Sequence, residues 1–346
     1  MLRTHTNALL SLTIWSPMRP RLMRCALLAL AACSDGSATP VDAPALDAPT
    51  LDAPTLDGPS SPRHTYVVSG ATWPRTAAEA TNLGLDIDQL VDDTNSGIDN
   101  QLGTFLGSLR GIAPGLDVNV SSARAVDRGD AIMLVELLTS DLATSPSATT
   151  TIHVGADPQP PACASPTDAV CRRHLAGTAS FGRAAGVPAG TPMPGAIIGQ
   201  RLRGGPGALT LATALGPTTV ALPLAATRVE WTTAAAGLSA GKLAGAVART
   251  DFDATVVPAL ATWFGVVIDA DCPPPRTAPS CNCASGATGA SLLSFLDADN
   301  DCTATATEVR LTLDALVTND LDLDHDGTND AVSLGIGVEA VAATFP

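Results

Sequence analysis

Oxygen-bearing side chains recur at regular positions in one short stretch, FLDADNDCTATATEVR, residues 295–310. A loop that starts at the first aspartate places oxygens at positions 1, 3, 5, 7, 9 and 12, which are Asp297, Asp299, Asp301, Thr303, Thr305 and Glu308. Carboxylates held so close together repel one another unless a cation lies between them. The spacing therefore predicts a chain that wraps around a divalent cation, and Ca²⁺ is the ion that accepts so many oxygen ligands.

This spacing resembles the loop of the EF-hand family. That resemblance implies a helix, a calcium loop and a second helix, and the apolar residues on both sides agree with helical spacing: Leu292, Phe295, Leu296, then Val309, Leu313, Leu316. The departure from the family is Cys302 at position 6, where glycine normally provides a positive φ. A disulfide at Cys302 would offset that strain, and the alternative is a solvated acidic turn that holds no ion.

A second acidic loop follows in DLDHDGTND. Positions 1, 3, 5 and 9 are Asp322, Asp324, Asp326 and Asp330, and Gly327 stands at position 6. Position 12 is Ser333, so the bidentate carboxylate is missing, and the residues beyond it alternate like a strand. A third stretch, residues 86–100, is a weaker calcium candidate. Its alternative is a turn that caps the following helix, whose apolar stripe is Leu102, Phe105, Leu106 and Leu109.

The N-terminal segment has the organisation of an export signal. Three arginines precede a short apolar run, and the sequence Leu-Ala-Ala-Cys ends at Cys33. It resembles the lipobox of bacterial lipoproteins, which implies a signal peptide over 1–32 and lipid on Cys33. The basic cluster begins only after Met18, so translation is expected to start at Met18 or Met23, with residues 1–17 an extension. A plain secretory signal is the alternative. Residues 33–63 repeat Asp, Ala and Pro and predict an extended tether.

Six cysteines remain beyond Cys25 and Cys33, and in an exported chain this even number predicts three disulfides. Cys163 pairs with Cys171, because both lie in one Pro-rich stretch. The other four cysteines allow three pairings, of which we favour Cys272–Cys281 with Cys283–Cys302. A zinc site at the CNC segment is a rival, although it lacks a nearby histidine.

Between the tether and the cysteine cluster the chain predicts strands. The candidate strands are residues 65–70, 116–122, 131–138, 150–155, 208–215 and 218–224, and a bend is expected between Leu224 and Val229. We expect a mainly β fold with a few helices, either β-sandwich-like or a β-sheet domain, over 64–270. Residues 271–346 are expected to form a disulfide-linked, EF-hand-like calcium-binding region.

The formal net charge of −15 excludes the usual basic surface for nucleic acid and suits divalent cations. Two segments, GLDIDQLVDDTNSGIDNQLG and DLDHDGTNDAVSLGIGVEAVAATF, resemble uncharacterised surface lipoproteins of high-GC Gram-negative bacteria. This resemblance implies no activity.

The sequence thus predicts a calcium-stabilised lipoprotein of the cell envelope that is not an enzyme, has a structural or binding role, and contacts the bilayer through Cys33. The outer membrane or cell surface is favoured over the inner membrane. The alternative is an exported hydrolase, for which Ser239 in GLSAG is a weak nucleophile candidate.

Overall fold

The computed structural model describes residues 61–89, 97–113, 115–165, 167–168 and 170–346. The signal peptide, Cys33 and nearly all of the tether lie outside the described residues. The described residues belong to one compact unit. Its elements are mainly strands joined in a large antiparallel sheet, with several helices, as the sequence predicts.

Within the part of the chain that the structure describes, nine strands form the sheet: β1 Arg63–Thr72, β2 Met133–Thr139, β3 Ser145–Gln159, β4 Ser180–Arg183, β5 Met193–Ile198, β6 Arg201–Leu215, β7 Thr218–Ala234, β8 Gly237–Ala248 and β9 Ala331–Ala342. Their order is β2-β1-β9-β8-β7-β6-β5-β3-β4, and β2 also pairs with β3. Eight strands therefore form a closed ring, and β4 is added outside it. A ring and not a two-layer sandwich results, because every strand of the ring has hydrogen-bonded neighbours on both sides.

Alternate side chains along the strands are buried and fill the main core. In β9, Val332, Leu334, Ile336 and Val338 are all nearly fully buried in that core. The opposite face of β9 is also covered, because a side chain at Gly335 would collide with the backbone of Gly84. A strand buried on both faces has an almost continuous apolar sequence, which matches β9.

The helices are α1 Ala77–Leu83, α2 Gln101–Ile112, α3 Val118–Arg128, α4 Arg249–Asp251, α5 Val257–Asp271, α6 Thr288–Leu296 and α7 Ala306–Leu316. Helix α3 crosses one end of the ring. Its Asn119 hydrogen-bonds the backbone of Trp73 at the end of β1, and Ser121 donates to Ala214 in β6. Strands β1 and β6 lie on opposite sides of the ring, because three of its eight strands separate them in either direction. Helix α3 therefore bridges the opening between them.

Turns close the other end of the ring. Thr233, near the end of β7, donates its hydroxyl to the carbonyl of Leu142 and its backbone N–H to the carbonyl of Gln200, and the Gln200 N–H donates to Ala143. The connections after β2 and after β5 are thereby bonded to each other and to the last residues of β7.

Two expectations about the β region, a strand over 116–122 and a boundary at residue 270, need correction, whereas the expected bend is present as an irregularity within a strand. Residues 116–122 were expected as a strand, but Asp117 accepts the Asn119 N–H and starts helix α3, whose buried face is Val118, Ser122, Ala125 and Val126. The expected bend after Leu224 occurs inside one continuous strand, β7, where pairing shifts register and Ala226 has φ 48°. The boundary at residue 270 separates two parts of one unit, because β9 pairs with both β1 and β8.

Helices α4 and α5 are joined through a π-helical turn, Phe252–Val256, just before Pro258. The continuous stretch Arg249–Asp271 is long and apolar enough to cross a membrane by length and composition. Its Phe252, Val256, Leu260 and Phe264 are buried in the main core. This burial is what a core helix of a globular fold shows.

Candidate metal centre

The first acidic loop connects α6 to α7. Leu292, Leu296, Val309 and Leu313 are buried as the helical spacing predicts. Phe295 and Leu316, expected on the same stripes, are instead 46% and 42% exposed. The loop brings ligand atoms of Asp297, Asp299 and Glu308 within 4.8 Å of one another.

Backbone amides order the aspartates of this loop. Asp297 accepts the N–H of Cys302 at 2.9 Å, Asp299 accepts that of Asp301 at 3.2 Å, and Asp301 accepts that of Thr303 at 2.8 Å. In the numbering of the loop these are bonds from position 6 to 1, from 5 to 3 and from 7 to 5. Each bond uses one carboxylate oxygen and orients the residue before any cation binds.

Glu308 joins the two ends of the loop. Its Oε1 accepts the N–H of Ala298 and its Oε2 accepts the N–H of Thr305, both at 2.9 Å. Thr305 in turn caps α7 through the N–H of Glu308, so that the pair forms a capping box. Partial desolvation alone would raise the pKa of Glu308, but the bonds from Thr305 and Ala298 outweigh it and lower the pKa.

Two predicted ligands are used within the loop itself. The Thr305 hydroxyl donates to Glu308, and the Thr303 hydroxyl donates to Asp301. Their side chains therefore stabilise the loop in this structure. The pKa of Asp299 is raised by local desolvation and then by the neighbouring charge of Asp301, which is the electrostatic penalty that a cation would remove.

Cys302 occupies the glycine position with a positive φ of 68°, as the loop geometry requires. It is bonded to Cys281, while Cys272 is bonded to Cys283. The favoured pairing, Cys272–Cys281 with Cys283–Cys302, was therefore wrong. Spacing cannot decide between pairings when the chain turns at Cys281 and Asn282, both of which have positive φ.

Cys163 is bonded to Cys171 as predicted. The six cysteines of the described residues are thus all paired, which leaves no thiolate for zinc at the CNC segment.

The second acidic loop repeats the hydrogen bonds of the first. Asp322 accepts the N–H of Gly327 at 2.8 Å, Asp324 accepts that of Asp326 at 3.2 Å, and Asp326 accepts that of Thr328 at 2.8 Å. Positions 4 and 6 have positive φ in both loops, at Asn300 and Cys302 and at His325 and Gly327. Ligand atoms of Asp322, Asp324 and Asp326 lie within 4.8 Å of one another.

The second loop differs at its end. Ser333 at position 12 lies in β9 and donates its hydroxyl to Asp320, outside the loop. Asp330 at position 9 accepts the N–H of Leu323. One oxygen of Asp322, Oδ1, is enclosed and has no hydrogen-bond partner. An enclosed carboxylate oxygen without a partner is costly, and a bound cation would satisfy it.

A third acidic cluster was only partly visible from the sequence. Ligand atoms of Asp86, Asp88 and Asp99 lie within 4.8 Å of one another, whereas Asp92 and Asp93 lie outside the described residues. Asp320, which sequence reasoning did not single out, is close enough to affect Asp99 electrostatically. Its only sequence signal is its place just before the second loop. Asn100 stands at the N-cap position of α2 but makes no side-chain capping bond there, and its side chain bonds the backbone of Gly335 and Ala80.

The pKa of Asp99 is raised to about 6, mainly by burial and also by the neighbouring carboxylates, against the opposing effect of the bond from Ile87. Between pH 4 and 6 the folded chain therefore holds a proton that the unfolded chain has lost, so stability falls as the pH rises through this window. In the presence of chelator, Asp99→Asn should melt near the parent at pH 4 and above it at pH 7.5. The exposed Asp130→Asn is the matched control. A variant that melts below the parent at pH 7.5 would contradict this prediction.

Ser239 does not have the surroundings of a nucleophile elbow. It lies inside β8, opposite Thr232 of β7, and not at a turn from strand to helix.

Comparisons with protein-family models, curated proteins and solved structures found no match.

Proposed function

We propose that this protein is an exported lipoprotein, anchored through Cys33, whose two C-terminal loops bind Ca²⁺ and stabilise its fold at the cell envelope. The observation that supports it best is the shared bonding of the two loops. Three backbone-to-carboxylate hydrogen bonds and two positive-φ positions recur at the same places in Asp297–Glu308 and Asp322–Asp330. The bonds from position 5 to 3 and from 7 to 5 are turns that an aspartate forms with the residue two positions on, so the bond from position 6 to 1 and the two positive-φ positions carry most of the resemblance between the loops.

The first loop is proposed as the stronger site. It contains three aspartates and Glu308, and the resemblance to EF-hands assigns both carboxylate oxygens of the last residue to the ion. The second loop has three converging aspartates but no acid at position 12, so water would complete its ion shell. Fewer charged ligands give weaker binding.

The surrounding structure supports a role for calcium in stability. The first loop is cross-linked by Cys281–Cys302, and the second lies directly before β9, a buried strand of the ring. Ions at these loops would fix the segments on either side of them. The three disulfides support export to an oxidising compartment.

A calcium titration tests the proposal directly. The chain should bind calcium at both loops with dissociation constants of roughly 0.1–1 mM, as extracellular calcium modules do. Glu308→Gln should remove the first binding event and Asp322→Asn the second. Glu339→Gln, an exposed glutamate on β9, should retain both. Calcium binding that neither loop variant reduces would overturn the assignment.

The anchor is tested separately. If residues 30–33 form a lipobox, Cys33→Ala should abolish labelling by a radioactive fatty acid and block release of the signal peptide, because the cysteine thiol carries the lipid. Ser34→Ala changes the next residue and should be processed normally. Normal processing of the wild-type chain without lipid would disprove the anchor and leave the calcium loops unaffected.

A further inference from the structure

A cleft of about 970 Å³ lies beside α3, at the end of the ring that this helix crosses. Its walls come from the end of β1, the exposed face of α3 and the loop closed by the Cys163–Cys171 disulfide. This volume falls within the usual range of small-molecule sites. The cleft lies apart from both acidic loops, whose residues do not line it.

The charge of this cleft contrasts with the rest of the chain. Three arginines line it, Arg75, Arg124 and Arg128, against one acid, Asp127, whereas the whole chain has a net charge of −15. Arg75 is paired with Asp117, and Asp127 is paired with Arg172. Among the described residues, neither Arg124 nor Arg128 has an acidic side chain within ion-pair distance.

The two unpaired arginines share one face of α3. They are four residues apart, so their side chains are neighbours on the helix and like charges repel there. The chain contains 34 acidic residues that could have neutralised them. An anionic ligand in the cleft would turn this repulsion into two charge-assisted contacts.

The remaining lining is partly apolar. Val120 is 59% exposed and Val170 is 80% exposed, and both border the cleft. Exposed valines beside guanidinium groups favour a ligand that has an anionic group and an apolar portion.

We propose that this cleft binds a phosphate or sulfate group carried by a small, partly apolar molecule, with Arg124 and Arg128 as the anion ligands. A tetrahedral oxyanion has enough oxygens to accept from two guanidinium forks at once, whereas a carboxylate is matched by one. The cleft is also too large for the anion alone, which leaves room for the apolar portion beside Val120 and Val170.

The test measures binding of phenyl phosphate to the full chain by calorimetry, with benzoate as the carboxylate comparison. Vesicles of phosphatidylcholine with and without phosphatidylglycerol test a lipid headgroup as the source of the phosphate. We expect Arg124→Gln/Arg128→Gln to weaken phosphate binding by at least about tenfold. Arg201→Gln/Lys242→Gln removes the same charge from β6 and β8 and should leave binding unchanged.

Binding of phenyl phosphate would identify a soluble phosphate compound as the ligand class, and binding only to phosphatidylglycerol vesicles would identify a lipid. Either result supports the site if Arg124→Gln/Arg128→Gln loses that binding. Equal losses in the two double variants would show nonspecific charge attraction and overturn the proposal. Binding of benzoate as tightly as phenyl phosphate would also overturn the proposal. So would the absence of binding of either phosphate probe at 10 mM, which is about ten times a dissociation constant of ~1 mM.

Discussion

Calcium should raise the melting temperature of this protein by about 5 °C at one hundred times the dissociation constant of the first loop. A ligand at that excess stabilises the folded state by about 2.7 kcal/mol, and a unit of this size gains roughly 2 °C for each kcal/mol. The gain arises because the carboxylates of Asp297, Asp299 and Glu308 converge within 4.8 Å and repel one another without an ion. Thermal unfolding with calcium and with chelator measures it.

Glu308→Gln separates calcium binding from helix capping. Glutamine still offers an acceptor oxygen to Thr305, so it fits the capping box at the start of α7. It loses one of the two acceptors that Glu308 uses, and we expect a modest decrease of the melting temperature in chelator. The calcium-dependent increment at the first loop should disappear, while Glu339→Gln keeps it. Equal melting temperatures of the wild-type chain with and without calcium would show that the loop is only an acidic turn.

The Cys281–Cys302 disulfide should have an effect of similar size. The cross-link joins residues 21 apart in the sequence, and a loop of that length contributes ~3 kcal/mol to the free energy of unfolding. We therefore expect Cys281→Ala/Cys302→Ala to lower the free energy of unfolding by about that amount in chelator. Alanine is the apolar replacement of choice because both cysteines are buried, at 6% and 1% exposed.

A glycine at position 6 should restore part of this loss. Cys302 has φ 68°, where a Cβ costs ~1 kcal/mol or more. The free energy of unfolding of Cys281→Ala/Cys302→Gly should accordingly exceed that of the double alanine variant by about 1 kcal/mol. Denaturant unfolding measures this difference as a higher midpoint concentration. Cys163→Ala/Cys171→Ala, which opens a shorter loop away from the acidic loops, should be less destabilising than the double alanine variant and should leave calcium affinity unchanged. A glycine variant less stable than the alanine variant would contradict the strain argument.

Local patterns were sufficient for the features that depend on neighbouring residues. Alternate oxygens from Asp297 to Glu308 predict a tight loop between two helices because each bond within it joins residues no more than ten apart. The alternation in β1, β2, β6 and β7 likewise predicts strands. The segment 116–122 misled this reasoning, because Val118, Val120 and Leu116 fit a strand as well as a helix over so few residues. Asp117 as a helix cap was the signal that could have decided it.

Only the tertiary structure decided which distant segments meet. The ring closes through β2 and β3, and β9 enters between β1 and β8 although more than 80 residues separate it from β8, as the bounds Ala248 and Ala331 show. The pairing of Cys281 with Cys302, the approach of Asp320 to Asp99 and the arginine-lined cleft beside α3 all depend on this arrangement. The sequence by itself determined the loops and most strands, because hydrogen-bond spacing and side-chain alternation are local. The strand order, the disulfide pairing and the buried acids required the fold, because burial depends on residues far apart in the chain.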